Sequence, residues 1–130
     1  MSFCPGPISA ITLFVEDLDA ARTFYAKVFG LPVHYEDDES AVFAFGSTLV
    51  NLLVSSAAPE LIEPATVAAP DAGNRFQLTV DVADIDAVCS ELAAHGVELL
   101  NGPIDRPWGV RTATFRDPAG HIWELAQPTG

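Results

Sequence analysis

The sequence is poor in basic residues. Of its 130 residues only 6 are Lys or Arg, whereas 18 are Asp or Glu, so the formal net charge at pH 7 is −12. Nucleic acids and anionic membrane surfaces bind proteins chiefly through Lys and Arg. We therefore expect neither of them as a partner. An acidic surface keeps a protein soluble and also concentrates cations, and the first effect is the commoner of the two.

Cysteines and long apolar segments are also scarce. Cys4 and Cys89 are too few for a disulfide framework, and we expect both to be reduced. The N-terminus lacks the basic start and apolar run of a signal peptide, and no later segment holds about 18 consecutive apolar residues. These features predict a cytoplasmic protein. Because 49% of the residues are hydrophobic, the chain is globular rather than disordered.

The sequence contains a repeat. An alternating segment at 11–15 precedes a helical segment at 20–29, and the same plan returns at 76–80 and 85–95. Gly30 and Gly96 follow the two helical segments, where a left-handed residue ends a helix. Three strand-like runs come after each helix, at 32–35, 41–45 and 48–54 in the first half and at 97–104, 110–115 and 121–127 in the second. Both halves therefore have the order βαβββ, which predicts an α+β fold.

A linker rich in Ala and Pro separates the two halves. We place module one at 8–56, the linker at 57–73 and module two at 74–127. One module alone offers too little core, so we expect the two to form a single pseudo-symmetric domain over 1–130. The linker is a candidate lid.

Two motifs carry a resemblance to a known family. The first is Val15-Glu16-Asp17-Leu18-Asp19 with the later Phe24-Tyr25 and Phe29-Gly30-Leu31, and the second is Arg116-Asp117-Pro118-Ala119-Gly120-His121-Ile122-Trp123-Glu124-Leu125. With the duplicated plan they resemble the vicinal oxygen chelate superfamily, which contains glyoxalases, extradiol dioxygenases, fosfomycin-inactivating enzymes and bleomycin-resistance proteins. The resemblance covers about residues 8–127 and implies two paired βαβββ modules, a curved mixed sheet around a cleft, and a homodimer.

The resemblance also indicates where metal ligands would lie. Metal-dependent members take ligands from four strands, and the matching positions here are Ala10, Asn51, Arg75 and Glu124. Only Glu124 fits that pattern, because Ala10 has no donor atom and Arg75 is a permanent cation. The amide of Asn51 offers only a neutral carbonyl. We therefore expect no metal and no other cofactor.

Strand parity suggests what replaces the metal. Arg75, Gln77 and Glu124 fall on the face opposite the apolar side chains of their strands, toward the implied cleft. The hypothesis is that the Arg75 guanidinium pairs with Glu124 while Asn51 adds a hydrogen bond. The alternative is that Arg75 reaches the mouth of the cleft and is solvated. Glu124 is also a candidate general base.

Aromatic residues point to binding. The loop Pro107-Trp108-Gly109 resembles the loop of bleomycin-resistance proteins whose aromatic side chains stack on the drug. Alternatively, Trp108 packs on a neighbouring subunit or loop. Further predicted ligand-binding residues are Phe14, Phe43, Phe45 and Arg111.

The sequence thus predicts a metal-independent binding protein of the bleomycin-resistance type. Its partners would be a second copy of the chain and a hydrophobic or aromatic small molecule, cationic ligands included. Nucleophile elbows, phosphate-binding loops and Cys-x-x-Cys are absent from the sequence. The alternatives are a glyoxalase-like lyase or isomerase, or a dioxygenase, that uses Glu124 with a reduced divalent-metal site, and a metabolite-sensing domain.

Overall fold

The chain divides into two compact units, Met1–Val67 and Ala68–Gly130. The computed structural model describes residues 5–129, so the prediction for Cys4 lies outside the described residues. Each unit consists of one four-stranded mixed sheet with a helix packed against it. This confirms the α+β fold of two βαβββ modules, while the single pseudo-symmetric domain stays a prediction. Within residues 5–129, no helix has the length and hydropathy required to cross a membrane.

The first unit has the strand order β1-β4-β3-β2, with β1 parallel to β4 and the other pairs antiparallel. The strand predicted at 32–35 is observed as the two paired residues Tyr35–Glu36, so the prediction overlaps it only at Tyr35. Pro32 cannot take part in the ladder as a donor because it has no N–H. A short 3-10 turn, Ser55–Ala57, precedes the last helix, which Pro59 begins. The elements are β1 (Ala10–Val15), α1 (Leu18–Val28), β2 (Tyr35–Glu36), β3 (Ser40–Phe45), β4 (Thr48–Val54) and α2 (Pro59–Ile62).

The second unit repeats this order as β5-β8-β7-β6, with β5 parallel to β8. The antiparallel register between the edge strand β6 and β7 shifts near Gly102, whose φ is +88°. A side chain at position 102 would overlap the backbone carbonyl oxygen of Thr112, so only glycine fits this irregular stretch. The elements are β5 (Gln77–Asp81), α3 (Ile85–Ala94), β6 (Leu99–Arg106), β7 (Val110–Arg116) and β8 (Ile122–Pro128).

Both long helices begin with the same device. Asp17 caps α1, where its carboxylate accepts a hydrogen bond from the Ala20 N–H at 3.0 Å. Asp84 caps α3 in the same way, accepting from the Ala87 N–H at 3.1 Å. Each cap satisfies one of the N–H groups that a helix start leaves without a partner. The two modules therefore share their helix start as well as their strand order.

The core of the first unit lies between α1 and the sheet face that it covers. The ring of Phe43 is fully buried there, with its centroid 5.8 Å from that of Tyr25. Phe45 packs on Phe29 at 5.0 Å between centroids. This corrects the prediction that Phe43 and Phe45 bind ligand. Phe43 pairs with the buried Val50, so both phenylalanines point toward the helix.

The second unit buries its helix-facing side in the same way. Trp123 and Phe115, paired across β8 and β7, are almost completely buried, as is Ile85 at the start of α3. Arg111 lies on this side as well. Its guanidinium binds Asp86 of α3 and Asp105 of β6, each at 3.1 Å. This corrects the prediction that Arg111 contacts ligand, because the side chain instead joins the helix to the sheet edge.

The helix caps give a first testable prediction. Replacing Asp17 by Ala removes the acceptor for the Ala20 N–H and should lower the free energy of unfolding by about 1 kcal/mol. Asp84→Ala should cost a similar amount. Urea unfolding followed by circular dichroism measures both. Asp38→Ala is the control, since that exposed carboxylate makes no hydrogen bond within the described range, and an equal loss there would contradict the cap assignment.

The position of Phe43 gives a second prediction. Because its ring is buried against Tyr25, Phe43→Ala should reduce the free energy of unfolding by about 3 to 5 kcal/mol. Denaturant titration measures the loss. A variant that unfolds at the wild-type urea concentration would show that the ring does not belong to the core.

Candidate functional site

Each sheet has one face that α1 or α3 covers and an opposite face, the helix-free face, that carries polar side chains. Strand alternation places Thr12, Phe14 and Asn51 on the helix-free face of the first sheet. On the second sheet the same alternation places there Gln77, Thr79, Glu124, Thr112 and Thr114. Of the predicted ligand-binding residues, Phe14, Asn51, Gln77 and Glu124 therefore lie on these faces.

The centre of the second helix-free face is a row of three side chains, which we call the polar row. Thr79, Glu124 and Thr114 are direct neighbours across β5, β8 and β7. The Thr79 hydroxyl donates to Glu124 Oε1 at 3.0 Å. The side chain of Thr114 is only 6% exposed, and its hydroxyl has no hydrogen-bond partner among the residues that the structure describes. A buried polar group without a partner costs about 1 to 3 kcal/mol.

The first sheet carries an equivalent pair. Thr12 lies opposite Asn51, and the Asn51 Nδ2 donates to the Thr12 hydroxyl at 3.4 Å. The Asn51 Oδ1 atom is buried and also lacks a partner within residues 5–129. Each module therefore places a threonine of its first strand beside a polar residue of its last strand. The oxygen without a partner in the described structure is Asn51 Oδ1 in the first module, within the pair, and the Thr114 hydroxyl in the second, next to the pair.

Arg75 does not lie where the pairing hypothesis requires. The chain bends at this residue and β5 begins only at Gln77, which pairs with Ile122. Glu124 lies opposite Thr79, four residues beyond Arg75, a separation of about 13 Å along a strand. Arg75 is exposed and forms no ion pair with Glu124 in the described structure. This corrects the prediction that Arg75 pairs with Glu124. In the structure, the hydroxyl of Thr79 is the group that binds the Glu124 carboxylate.

The donor set of the two modules does not suit a metal ion. The residue beside Asn51 is Thr12, and the residue beside Glu124 is Thr79, so each pair brings a neutral hydroxyl where a metal needs imidazole or carboxylate. Ala10 has no donor atom. No three His, Cys, Asp or Glu side chains in residues 5–129 are grouped so that they could hold a metal ion. The residues present do not fit the metal that some relatives use.

Trp108 occupies the turn between β6 and β7. Its side chain is 69% exposed, as a stacking surface requires. The guanidinium carbon of Arg106 lies 5.9 Å from the centre of the Trp108 ring. The Arg106 Nε donates to the hydroxyl of Thr112 at 2.9 Å, and Thr112 is on the helix-free face, two residues before Thr114. The Trp108 loop is thus connected to the face that carries the polar row.

The first unit also has an open depression of about 490 Å³, lined mainly by acidic side chains near the start of α1. Three of these carboxylates, those of Asp17, Asp19 and Asp37, already have structural roles. Asp37 accepts hydrogen bonds from the N–H groups of Glu39 and Ser40, and these bonds lower the pKa of its carboxyl group. Asp19 pairs with Arg22 on the surface of α1. The depression follows from a turn and a helix start and shows no feature of a ligand site.

Sequence reasoning missed three residues of this region: Arg106, Thr112 and Thr114. A signal for two of them was present, because Thr112 and Thr114 alternate with Ala113 and Phe115 and so share the face of Glu124. The third, Arg106, ends β6 two residues before Trp108. Their hydrogen bonds depend on strand register, which alternation alone does not give.

Comparisons with known proteins agree with this fold. An uncharacterized protein of Bacillus subtilis strain 168, YraH, is 33% identical over 119 residues, which are 88% of this chain and 93% of YraH. The solved structure of TnmS3, an antibiotic binding protein from Streptomyces sp. CB03234, superposes with a TM-score of 0.76 and 24% identity over 98% of this chain and 99% of that one. A lactoylglutathione lyase from Agrobacterium tumefaciens gives 0.72 and 23%, covering 95% of each chain.

The two solved structures are named for different functions, antibiotic binding and lactoylglutathione lyase. Because both are less than 25% identical to this chain, their similarity shows the fold alone. The family follows from the sequence itself, because residues 8–125, nearly the whole chain, match one superfamily. The chain belongs to the Glyoxalase/Bleomycin resistance protein/Dioxygenase superfamily.

Proposed function

We propose that this protein is a metal-independent small-molecule-binding protein of the bleomycin-resistance type, which sequesters a hydrophobic or aromatic ligand. The observation that carries the proposal is the buried Thr114 hydroxyl, which has no partner in the described structure and lies next to Glu124 in the polar row. Such an arrangement is costly in the free protein and becomes favourable once a ligand supplies the missing hydrogen bond.

The surroundings of the polar row suit an organic ligand. Glu124 receives one hydrogen bond, from Thr79, whereas a carboxylate can accept several. A ligand N–H or O–H group would therefore bind to its remaining lone pairs. Ile122 and Ala126 flank Glu124 on the same face and supply apolar contact, and the exposed indole of Trp108 adds a stacking surface. A few polar groups on an apolar wall orient a ligand without requiring a reaction.

The donor chemistry favours binding over a metal-assisted reaction. The positions that match metal ligands in relatives hold Ala10, Asn51, Arg75 and Glu124, of which Glu124 is the only anion. One carboxylate with a threonine beside it does not make a divalent-metal site. The similar structure TnmS3 is that of an antibiotic binding protein, which supports the proposal. As for partners, we propose that the protein works in the cytoplasm as a homodimer.

The metal content of the purified protein gives a third prediction. Protein prepared without chelator should contain less than about one-tenth equivalent of Zn, Ni, Mn or Fe per chain, because the donor set lacks imidazole and a second carboxylate. Inductively coupled plasma mass spectrometry measures this. One equivalent of any of these metals, lost in Glu124→Gln, would contradict metal independence.

The polar row gives a fourth prediction, with opposite effects on stability and binding. Thr114→Val removes an unsatisfied hydroxyl at nearly constant volume, so it should raise the free energy of unfolding by up to about 1 to 3 kcal/mol. The same variant should weaken ligand binding at least about tenfold, as should Glu124→Gln. Thermal shift with bleomycin and with a hydroxyanthraquinone antibiotic is the binding assay. A ligand at 100 times its Kd should stabilise the wild type by about 2.7 kcal/mol.

Two exposed positions provide matched controls. Thr23→Val on α1 and Glu91→Gln on α3 make the same chemical changes outside the polar row and should leave both measurements unchanged. Sequestration is the wrong function if no compound changes the melting temperature while the thiol adduct of an α-ketoaldehyde is turned over.

A further inference from the structure

We propose that Arg106 is a positioning residue, which holds Trp108 as one wall of the ligand site and makes that wall select an uncharged, electron-rich aromatic ring over a cationic one. This inference rests on the proposed function, because it specifies the ligand class of the same site. The arrangement is a stack of three: the Arg106 guanidinium, the Trp108 indole, and the ligand ring on the outer face of the indole.

The contact between Arg106 and Trp108 has the geometry of a cation–π interaction. The guanidinium carbon lies 5.9 Å from the ring centre, within the distance of about 6 Å at which the interaction is significant. A guanidinium is planar and weakly hydrated, so it stacks well on an aromatic face. Trp108 is nevertheless 69% exposed, which leaves surface for a second stacking partner.

The guanidinium is held in place by the sheet. Its Nε donates to the hydroxyl of Thr112 at 2.9 Å, and one terminal nitrogen donates to Asn101 Oδ1 at 3.3 Å. Thr112 is only 1% exposed, so the anchor is a rigid point of β7 rather than a mobile surface group. Because two hydrogen bonds fix the cation, the indole that stacks on it is also restrained before any ligand arrives.

Arg106 differs from two other arginines of this acidic chain, Arg22 and Arg111, in having no carboxylate partner in the part of the chain that the structure describes. Arg22 and Arg111 each pair with two carboxylates. Arg106 forms no ion pair with any of the residues at 5–129, although acidic residues outnumber basic ones by 18 to 6. Its positive charge is therefore not neutralised by a neighbouring carboxylate, and besides the neutral oxygens of Thr112 and Asn101 it contacts the indole of Trp108.

This charge determines which ligand ring fits. A cation on one face of an indole draws π-electron density toward itself, so the opposite face becomes a poorer partner for a second cation and a better one for an electron-rich ring. The ring that suits this face is therefore an uncharged, electron-rich one, such as that of a phenol or a hydroxyquinone. The net charge of −12 favours the approach of cations, but the Arg106–Trp108 stack favours uncharged rings at contact.

Quenching of tryptophan fluorescence tests the stack without any ligand. Trp123 is 2% exposed, so ionic quenchers report mainly on Trp108. Relative to N-acetyltryptophanamide, the ratio of iodide to caesium quenching constants should be at least about twofold higher in the wild type than in Arg106→Gln. Arg106→Lys should keep most of the wild-type ratio. Lys27→Gln, which removes one exposed charge from α1, is the control and should not change it. Equal ratios in wild type and Arg106→Gln would overturn the positioning role, as would a Trp108 that neither ion reaches because another chain covers it.

Ligand selectivity is tested with two bicyclic probes of similar size, 2-naphthol and N-methylquinolinium, by isothermal titration calorimetry. The wild type should bind 2-naphthol at least about fivefold more tightly than N-methylquinolinium. Trp108→Ala should lose this preference, and Arg106→Gln should reduce it at least about threefold. Equal or tighter binding of N-methylquinolinium by the wild type would overturn the selectivity while leaving the proposed binding function intact. If neither probe nor any compound of the thermal-shift panel binds, both the proposed function and the selectivity are wrong. The quenching ratios would still decide whether Arg106 positions Trp108, because that measurement needs no ligand.

Discussion

The candidate site depends on one constraint, the parallel pairing of the first and last strands of each module. This pairing places Thr79 beside Glu124 in the second sheet and Thr12 beside Asn51 in the first. A shift of one residue would turn each of these side chains toward the helix, where the core has no room for them. The buried packing of α1 and α3 against the opposite faces therefore fixes the chemistry of the helix-free faces.

The two modules share the same strand pairing but differ in the charge of the polar pair that it brings together. In the first, an amide and a hydroxyl share one hydrogen bond, and in the second a carboxylate accepts from a hydroxyl. The repeat thus conserves the position of a polar pair while changing its chemistry. A metal ion at such positions would need anionic or imidazole donors, and this chain has mostly neutral ones there. The polar pairs are suited to hydrogen bonding with an organic molecule.

The sequence predicted the elements well and the contacts less well. Alternation and helical periodicity located both long helices and every strand but β2, which overlaps the predicted run at 32–35 only at Tyr35. Strand parity placed Gln77 and Glu124 on one face of their sheet, as the register has them. The errors have two causes. Phe43 and Phe45 are predicted to bind ligand because aromatic residues suit ligands, although parity places Phe43, the partner of Val50, on the other face of the sheet from Asn51. Arg75 was paired with Glu124 because strand register and the bend before β5 are tertiary properties, which a single sequence does not contain.

The irregular stretch of β6 at Gly102 constrains the sequence of the sheet, whereas the turn that follows β6 is not constrained in this way. The backbone of β6 passes so close to Thr112 that position 102 admits no side chain, and Thr112 in turn anchors Arg106. The tip of the following turn, in contrast, is exposed and contributes nothing to the core. Evolution could therefore exchange the aromatic residue at position 108 and so alter the range of molecules recognised, while the sheet beneath it keeps its shape.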